Sequence, residues 1–411
     1  MPPSNPADKT TLKRDLRTGR PLWADSRGLR LPVRALTSAL DVDIVVVGAG
    51  VSGAFMAHEL SSDFSVAVVD RRAPVLGSTM ASTAMLQWEL DVPLGALSEQ
   101  IGDARAARVY RRSHRAVADL IFLVRRERIV CGLKAKSSLY LAGDAYGWRA
   151  LKDEAARRAR LGLDSTFLDS AALAERFAID RTGAILSGGS ASADPARLAS
   201  GLLRRAAANG ARLFAPVEAT GVLQGADHVT VVTDAGVELR ARQVVFCCGY
   251  EFPKGVPTHG ARIISTWALA SQPDAVRPAW LDRHLVWEAS DPYLYFRTSD
   301  DGRVIVGGED EASSTRHGDP GALAPKTRAI VRKLEALIAD LDFKPDYTWA
   351  GAFGESSTSM PLIGPIPAMP RAHAVMGFGG NGITYSMIAC QVIGAALRGR
   401  PDPDADLYKF A

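Results

Sequence analysis

The sequence predicts an α/β fold in which a parallel-sheet domain, assembled from discontinuous segments, interleaves with a mixed α+β domain. Three observations predict it. The β-branched run at 44–47 leads into the turn GAGVSG, a short helical stretch and a second apolar strand ending at Asp70, a β-α-β unit. Strand and helix pieces of the same kind return near 194–250 and 349–400. Between them, near 94–193 and 251–348, strands, hairpin turns and amphipathic helices suit a second domain.

Composition sets the outer limits. A chain of 411 residues is too long for one ordinary core, and 47% apolar with 23% charged residues describes a soluble globular protein. No apolar run reaches the roughly 18 residues of a membrane span. The N-terminus (Pro2, Pro3, Asn5, Asp8) lacks an apolar signal core, so a cytoplasmic location is expected. Cys131, Cys247, Cys248 and Cys390 form no C-x-x-C pair and read as reduced thiols. No His/Cys/Asp cluster has ligand spacing, so no metal is expected.

The net charge of +4 comes from residues 1–40, where Lys9, Lys13, Arg14, Arg17, Arg20, Arg27, Arg30 and Arg34 outnumber Asp8, Asp15 and Asp25. No aromatic stripe accompanies them, so nucleic acid is not an expected partner. This basic arm reads as mostly irregular, solvated and lying over its own protein, pinned by Trp23.

From 41 onward the elements follow in order. The unbroken apolar strands at 44–47 and 65–70 read as buried on both faces. One or two amphipathic helices are expected over 94–127. Asp194 followed by Pro195 is a helix start, and Asn209-Gly210 its stop. Asp234-Ala-Gly236 and Asp301-Gly302 mark hairpins. A helix is expected over 324–341, a last strand at 373–377 and a last helix at 383–397. Residues 401–411 read as a polar tail.

The first glycine loop has a physical task at each position. Gly48 allows the tight turn, Gly50 lets the backbone approach a pyrophosphate, and Gly53 lets helix and strand pack closely. Val51 and Ser52 open a helix whose free N–H groups favour an anion. Asp70 suits a ribose diol, with Arg71 beside it. The loop that follows contains Gly77, Ser78, Thr79, Ala81 and Ser82 and has no bulk until Met85, which suits a stretch along a pyrophosphate and a flavin ring. That favours FAD over NAD.

A second G-x-G-x-x-G stands at 377–382, yet after it come only one helix and a polar tail. No strand and acid follow, so it does not begin a second nucleotide domain. It does aim a helix N-terminus, Gly380, Asn381, Gly382, Ile383 and Thr384, at an electron-rich group. The N1 and C2 carbonyl region of a reduced flavin is such a group. One dinucleotide gripped at two places explains both loops.

In order along 41–400, the stretches DIVVVGAGVSG, GSTMAST, ADPARLASGLLRRAAANGARLF, QVVFCCG, YLYFRTSDDGRVIVGG and GESSTSMPLIGPIP with VMGFGGNGITYS carry a resemblance. The chain resembles the FAD-dependent amine oxidoreductase family of D-amino-acid oxidase, glycine oxidase and sarcosine oxidase. The resemblance implies a Rossmann-like FAD-binding domain interleaved with a sheet-based substrate domain. It places Val217 at the adenine, Cys248 and Gly249 near the pyrophosphate or ribityl chain, and Arg297 where the family holds a substrate carboxylate. The sarcosine branch attaches flavin through a cysteine before the proline of MPLIG; FGESSTSM has none, so FAD is expected to be non-covalent. Ala84 and Gln87 replace that branch's loop arginines, and no lysine occurs between Gly255 and Pro325 to match its oxygen-activating lysine.

The expected activity is FAD-dependent oxidation of a small amino acid or N-substituted glycine (sarcosine, glycine or iminodiacetate-like). Hydride passes to flavin N5, the imine is hydrolysed, and oxygen yields hydrogen peroxide. Tyr293 and Tyr295, alternating on one strand face, together with Trp88 and His259, are candidate pocket residues beside Arg297. The alternatives are a dehydrogenase serving a quinone or protein acceptor and a flavin-binding redox protein without turnover.

Overall fold

The computed structural model describes residues 11, 13–256 and 261–410. His259 lies outside them. The described residues form two large sheets.

The first sheet has nine strands. Leu40–Val47, Val66–Val69, Arg212–Phe214 and Val33–Arg34 run parallel in that order, with Glu238–Phe246 on the other flank of Leu40–Val47. The meander Ala219–Gln224 and Val229–Thr233 extends that flank antiparallel. Ala372–Met376 joins Glu238–Phe246 in parallel and carries Leu362–Pro365.

The expectation of strands buried on both faces is met residue by residue. Ile44 and Val46 pack into a cluster with Ala54, Phe55, Leu198 and Ile388, while Val45 and Val47 pack with Phe214, Val231 and Leu239. The first cluster is helical: Val51–Leu60 lies against Pro195–Ala208 and Gly382–Leu397. Asp194 caps the second of these, accepting from the Ala196 and Arg197 N–H groups at 2.9 Å.

The second sheet has ten strands in the order Arg17–Gly19, Pro345–Glu355, Arg262–Ser271, Val304–Glu311, Leu294–Thr298, His284–Glu288, Lys134–Leu141, Gly183–Ser192, Met85–Leu86, with Ser165–Asp169 also on Gly183–Ser192. It is antiparallel apart from His284–Glu288 beside Lys134–Leu141. Pro320–Leu337 covers one face through Ile330 and Leu334, against Trp267, Leu269, Phe296 and Val306.

Of the one or two helices expected over 94–127, two form, Leu94–Ile101 and Asp103–Arg126, parted by Gly102 at φ 85°. Two expectations need correction. Residues 349–355, grouped by sequence with the first sheet, pair instead in the second. The basic arm lies over its own protein with Trp23 buried, as expected, but it is not solvated and irregular throughout its described length: its Arg17–Gly19 strand closes the edge of the second sheet and Val33–Arg34 extends the first.

Candidate active site

Between the two sheets runs a continuous cavity with an empty volume of about 1750 Å3, mouth included. The first glycine loop forms one end. Gly48 sits at φ 106°, and a Cβ there would meet the Cys247 carbonyl oxygen at 2.4 Å. A Cβ on Gly53 would meet the Gly48 carbonyl oxygen at 1.8 Å, so the helix rests directly on the turn. A Cβ on Gly50 would project toward the cavity, with only Thr79 Oγ1 near it at 3.1 Å. The three glycines thus divide into two that shape the turn and one that keeps the cavity wall thin.

Asp70 lines the cavity at the end of its strand. Its carboxylate accepts from the Ala49 N–H at 2.7 Å and the Arg72 N–H at 2.8 Å, which ties the two strand ends together. Burial pushes its pKa up, opposed by those two N–H groups. Arg71 is paired with Glu251 at 2.7 Å and Glu218 at 3.2 Å, and Arg72 grips Glu251 with two bonds of 2.7 Å. Val217, Cys248 and Gly249 complete this end.

The small-residue loop lies along the cavity, with Gly77, Ser78, Thr79, Ala81 and Ser82 all exposed to it. Its backbone is fixed from behind. Three consecutive carbonyls accept from three buried side chains: Ala81 from Trp349 Nε1 at 2.9 Å, Ser82 from Trp23 Nε1 at 2.6 Å, and Thr83 from Arg297 Nε at 2.8 Å. A loop of small residues has few contacts of its own, and these donors supply the order its side chains lack.

The second glycine loop is bound to the segment that follows. The Gly380 N–H donates to Asp91 Oδ2 at 3.0 Å, Asn381 Nδ2 to the Glu89 carbonyl at 2.6 Å, and Thr384 Oγ1 to the Gln87 carbonyl at 2.9 Å. Ser52 and Ser386 join the two glycine-loop helices through a 2.8 Å hydroxyl contact. The helix Gly382–Leu397 has no side-chain cap, so its N-terminal dipole opens toward Gly380, Asn381, Gly382 and Ile383 on the cavity wall. Both glycine loops therefore face one cavity.

The residues expected at the site divide clearly. Gly48, Gly50, Val51, Ser52, Asp70, Arg71, Gly380, Asn381, Gly382 and Ile383 line the cavity, as do Tyr293 and Tyr295. Gly53 and Thr384 stand just behind its wall, in packing and hydrogen-bonding roles.

Trp88 does not reach the cavity. It is fully buried, donates to the Gly188 carbonyl at 2.7 Å and packs edge-on against Tyr110. Arg297 does not reach it either. Its guanidinium is 2% exposed and donates to the carbonyls of Thr83, Ala193 and Thr298 at 2.8–3.1 Å, over the face of Trp23. Three of its five N–H groups are bonded to carbonyls and the side chain lines neither cavity, so the carboxylate-anchor expectation gives way to a positioning role behind the small-residue loop.

Sequence reading missed Thr11, Leu16, Asp91, Tyr250, Phe353, Phe378 and Trp287 on the cavity wall. Phe378 lies inside the second glycine run and was within reach of that motif; the others are gathered from distant elements.

Tyr293, Phe353, Trp287 and Asp91 also wall an adjoining side chamber, which Asp310 and Glu355 line as well. Burial raises the Asp310 pKa from 3.8 to about 6, with Asp91 and Glu355 adding repulsion against the relief from Thr266 and Tyr293. The raised value means the ionised form is disfavoured in the folded chain. Stability tied to Asp310 is present below the ordinary 3.8 and is lost as pH rises through about 6. Asp310→Asn is therefore expected to melt above the parent by a margin that widens across that window and then levels, in ligand-free thermal unfolding. A margin independent of pH would contradict this environment for Asp310.

The profile of the FAD dependent oxidoreductase family matches residues 43–396. The chain belongs to this family. The FAD-dependent oxidoreductase shares its fold with a glycine oxidase from Geobacillus kaustophilus, at TM-score 0.73 and 19% identity over 90% of this chain and 99% of that one. It is similar also to an L-proline dehydrogenase from P. horikoshii, at TM-score 0.75 and 18% identity over 91% and 97%. Among curated proteins it is 20% identical over 382 residues to the putative Rieske 2Fe-2S iron-sulfur protein YhfW of Bacillus subtilis, covering 91% of this chain and 72% of that protein.

The residues of this oxidoreductase fit FAD. The thin wall at Gly50 would leave room for a pyrophosphate, Asp70 at its strand end would face a ribose, and the uncapped helix at Gly382 would face a flavin pyrimidine. No helix among the described residues is long and apolar enough to cross a membrane, and none of their His/Cys/Asp/Glu groups has the arrangement of a metal site.

Proposed function

We propose that this FAD-dependent oxidoreductase oxidises the CH–NH bond of a small amine to an imine, with dioxygen as terminal acceptor. The carbon loses a hydride and the nitrogen a proton, and water then splits the imine into a carbonyl compound and an amine. Dioxygen takes up the electron pair and two protons as hydrogen peroxide. FAD, when bound, supplies the two-electron acceptor for the C–N bond.

The observation that carries this reading is the uncapped N-terminus at Gly382 opening on the same cavity as Gly50, next to a side chamber walled by Tyr293 and Trp287. The helix N-terminus stabilises negative charge arriving beside it. Tyr293 and Tyr295, with ring centroids 5.5 Å apart, present apolar faces that exclude water and hold a substrate C–H in place. Arg297, Trp23 and Trp349 keep the opposite loop from moving. With Arg297 committed to carbonyls, the proposal is confined to the amine and does not include the carboxylate contact expected from sequence.

The test mixes FAD-loaded protein with primary and secondary amines, amino acids included, without oxygen, and follows the yellow flavin absorbance. Bleaching by an amine, followed by peroxide on admitting air, is the expected result. Bleaching that reverses only with a quinone or dye would make the protein a dehydrogenase. A flavin that no amine bleaches would contradict amine oxidation and leave a redox protein without this turnover.

A further inference from the structure

The side chamber is acidic and aromatic. Asp91, Glu288, Asp291, Asp310, Glu311 and Glu355 line it, against one described cation, Arg262. Arg262 is paired with Glu355. Glu288 is paired from outside by Arg181 at 2.9 Å and Glu311 by Lys326 at 2.9 Å. Asp91, Asp291 and Asp310 have no ion pair among the described residues.

Of these three, Asp310 is half-buried and Asp91 and Asp291 are exposed. Asp91 opens on the cavity, where it accepts from the Gly380 N–H. Asp310 lies beside the Tyr293 and Thr266 hydroxyls, and its Oδ1 is buried without a well-formed hydrogen bond. Desolvation raises the pKa of both Asp91 and Asp310. A desolvated carboxylate without a counter-charge is costly, and a bound cation removes that cost.

The aromatic wall points independently to the same ligand chemistry. Tyr140 and Trp287 are stacked at 3.7 Å, and Tyr146, Tyr293 and Phe353 complete the lining. Aromatic faces attract ammonium groups, most strongly where water is excluded. A carboxylate-bearing substrate would meet repulsion from Asp91 and Asp310.

We propose that the side chamber selects an amine that carries a second ammonium group and no carboxylate, a diamine or polyamine, with the distal ammonium held between Asp310 and the aromatic wall. This rests on the amine-oxidation reading and names the substrate class of that site. The reacting C–N bond lies toward the glycine-loop cavity and undergoes the two-electron step already described.

The experiment uses FAD-loaded protein without oxygen and three matched secondary amines: N-methyl-1,4-diaminobutane, N-methylbutylamine and sarcosine. The diamine is expected to bleach the flavin at concentrations about tenfold or more below either of the others. Asp310→Asn should raise the diamine concentration required by about 10- to 100-fold while changing that of N-methylbutylamine by less than about threefold. Asp291→Asn, on the accessible side of the chamber, should act in the same direction by a smaller factor. Sarcosine bleaching ahead of the diamine, or Asp310→Asn weakening both amines equally, would overturn the diamine assignment and leave amine oxidation standing. Bleaching by none of the three or by any other amine would overturn both.

Discussion

Gly53→Ala is expected to give a protein that neither retains FAD nor unfolds at the parent's temperature, whereas Gly50→Ala should fold normally and fail only in binding. The two positions share a loop and differ in what a methyl group meets. At Gly53 it meets the Gly48 carbonyl oxygen at 1.8 Å, a backbone atom that cannot rotate aside. Relief requires the helix Val51–Leu60 to lift from its strand, at a cost of about 3 kcal/mol. That helix also packs on Pro195–Ala208 and Gly382–Leu397, so the lift spreads through the first sheet's helical face.

At Gly50 the methyl meets only Thr79 Oγ1, at 3.1 Å, which the hydroxyl can absorb. Its volume falls instead on the approach of a pyrophosphate to the Gly50 and Val51 backbone. The loss of that approach is worth about 2–3 kcal/mol, or on the order of 100-fold in affinity. Thermal unfolding of the apoproteins and fluorescence titration with FAD separate the two effects. Equal behaviour of the two variants would contradict the distinct roles assigned to these glycines.

Arg297→Ala should destabilise the protein by about 3–5 kcal/mol and loosen FAD, without selective loss of carboxylated substrates. The guanidinium donates to three backbone carbonyls, at Thr83 and Ala193 far away in sequence and at Thr298 in its own strand. Truncation removes all three bonds and leaves a hollow against Trp23. Burial lowers the Arg297 pKa to about 9, with Asp194 and Asp301 opposing that shift. Arg297→Lys should recover only part of the stability, because one ammonium does not span three acceptors. Denaturant unfolding measures the first effect. A variant of parental stability that loses affinity only for carboxylated amines would restore the anchor role and contradict the geometry.

That exchange of roles shows what sequence carried and what it did not. The strand–turn–helix unit of the first sheet was legible because its physics is local. A β-branched run, a glycine turn and an acid at the next strand end need only their neighbours, and Gly48, Gly50 and Asp70 lie as the spacing implied. The Asp194-Pro195 helix start held for the same reason, and Asp319-Pro320 carries an identical signal for Pro320–Leu337 that lay outside the predicted helix.

The second sheet was less legible. Gly183–Ser192 reads GAILSGGSAS, with little strand propensity, and is a strand because Lys134–Leu141, Met85–Leu86 and Ser165–Asp169 all pair with it. Arg297 shares strand parity with Tyr293 and Tyr295 but lies farther along, under the loop at 81–83. Alternation gives the face and not the distance along it. The acidic chamber was invisible because its members come from six stretches of chain, most with an ordinary surface-like acid or aromatic residue.

Both glycine loops face one cavity and are expected to hold a single FAD between them. In equilibrium titration of the apoprotein with FAD, with NAD as competitor, saturation at one FAD per chain, no displacement by NAD, and loss of that single site in Gly50→Ala are the expected results. Saturation at two dinucleotides per chain, or preferential binding of NAD, would contradict a single shared FAD.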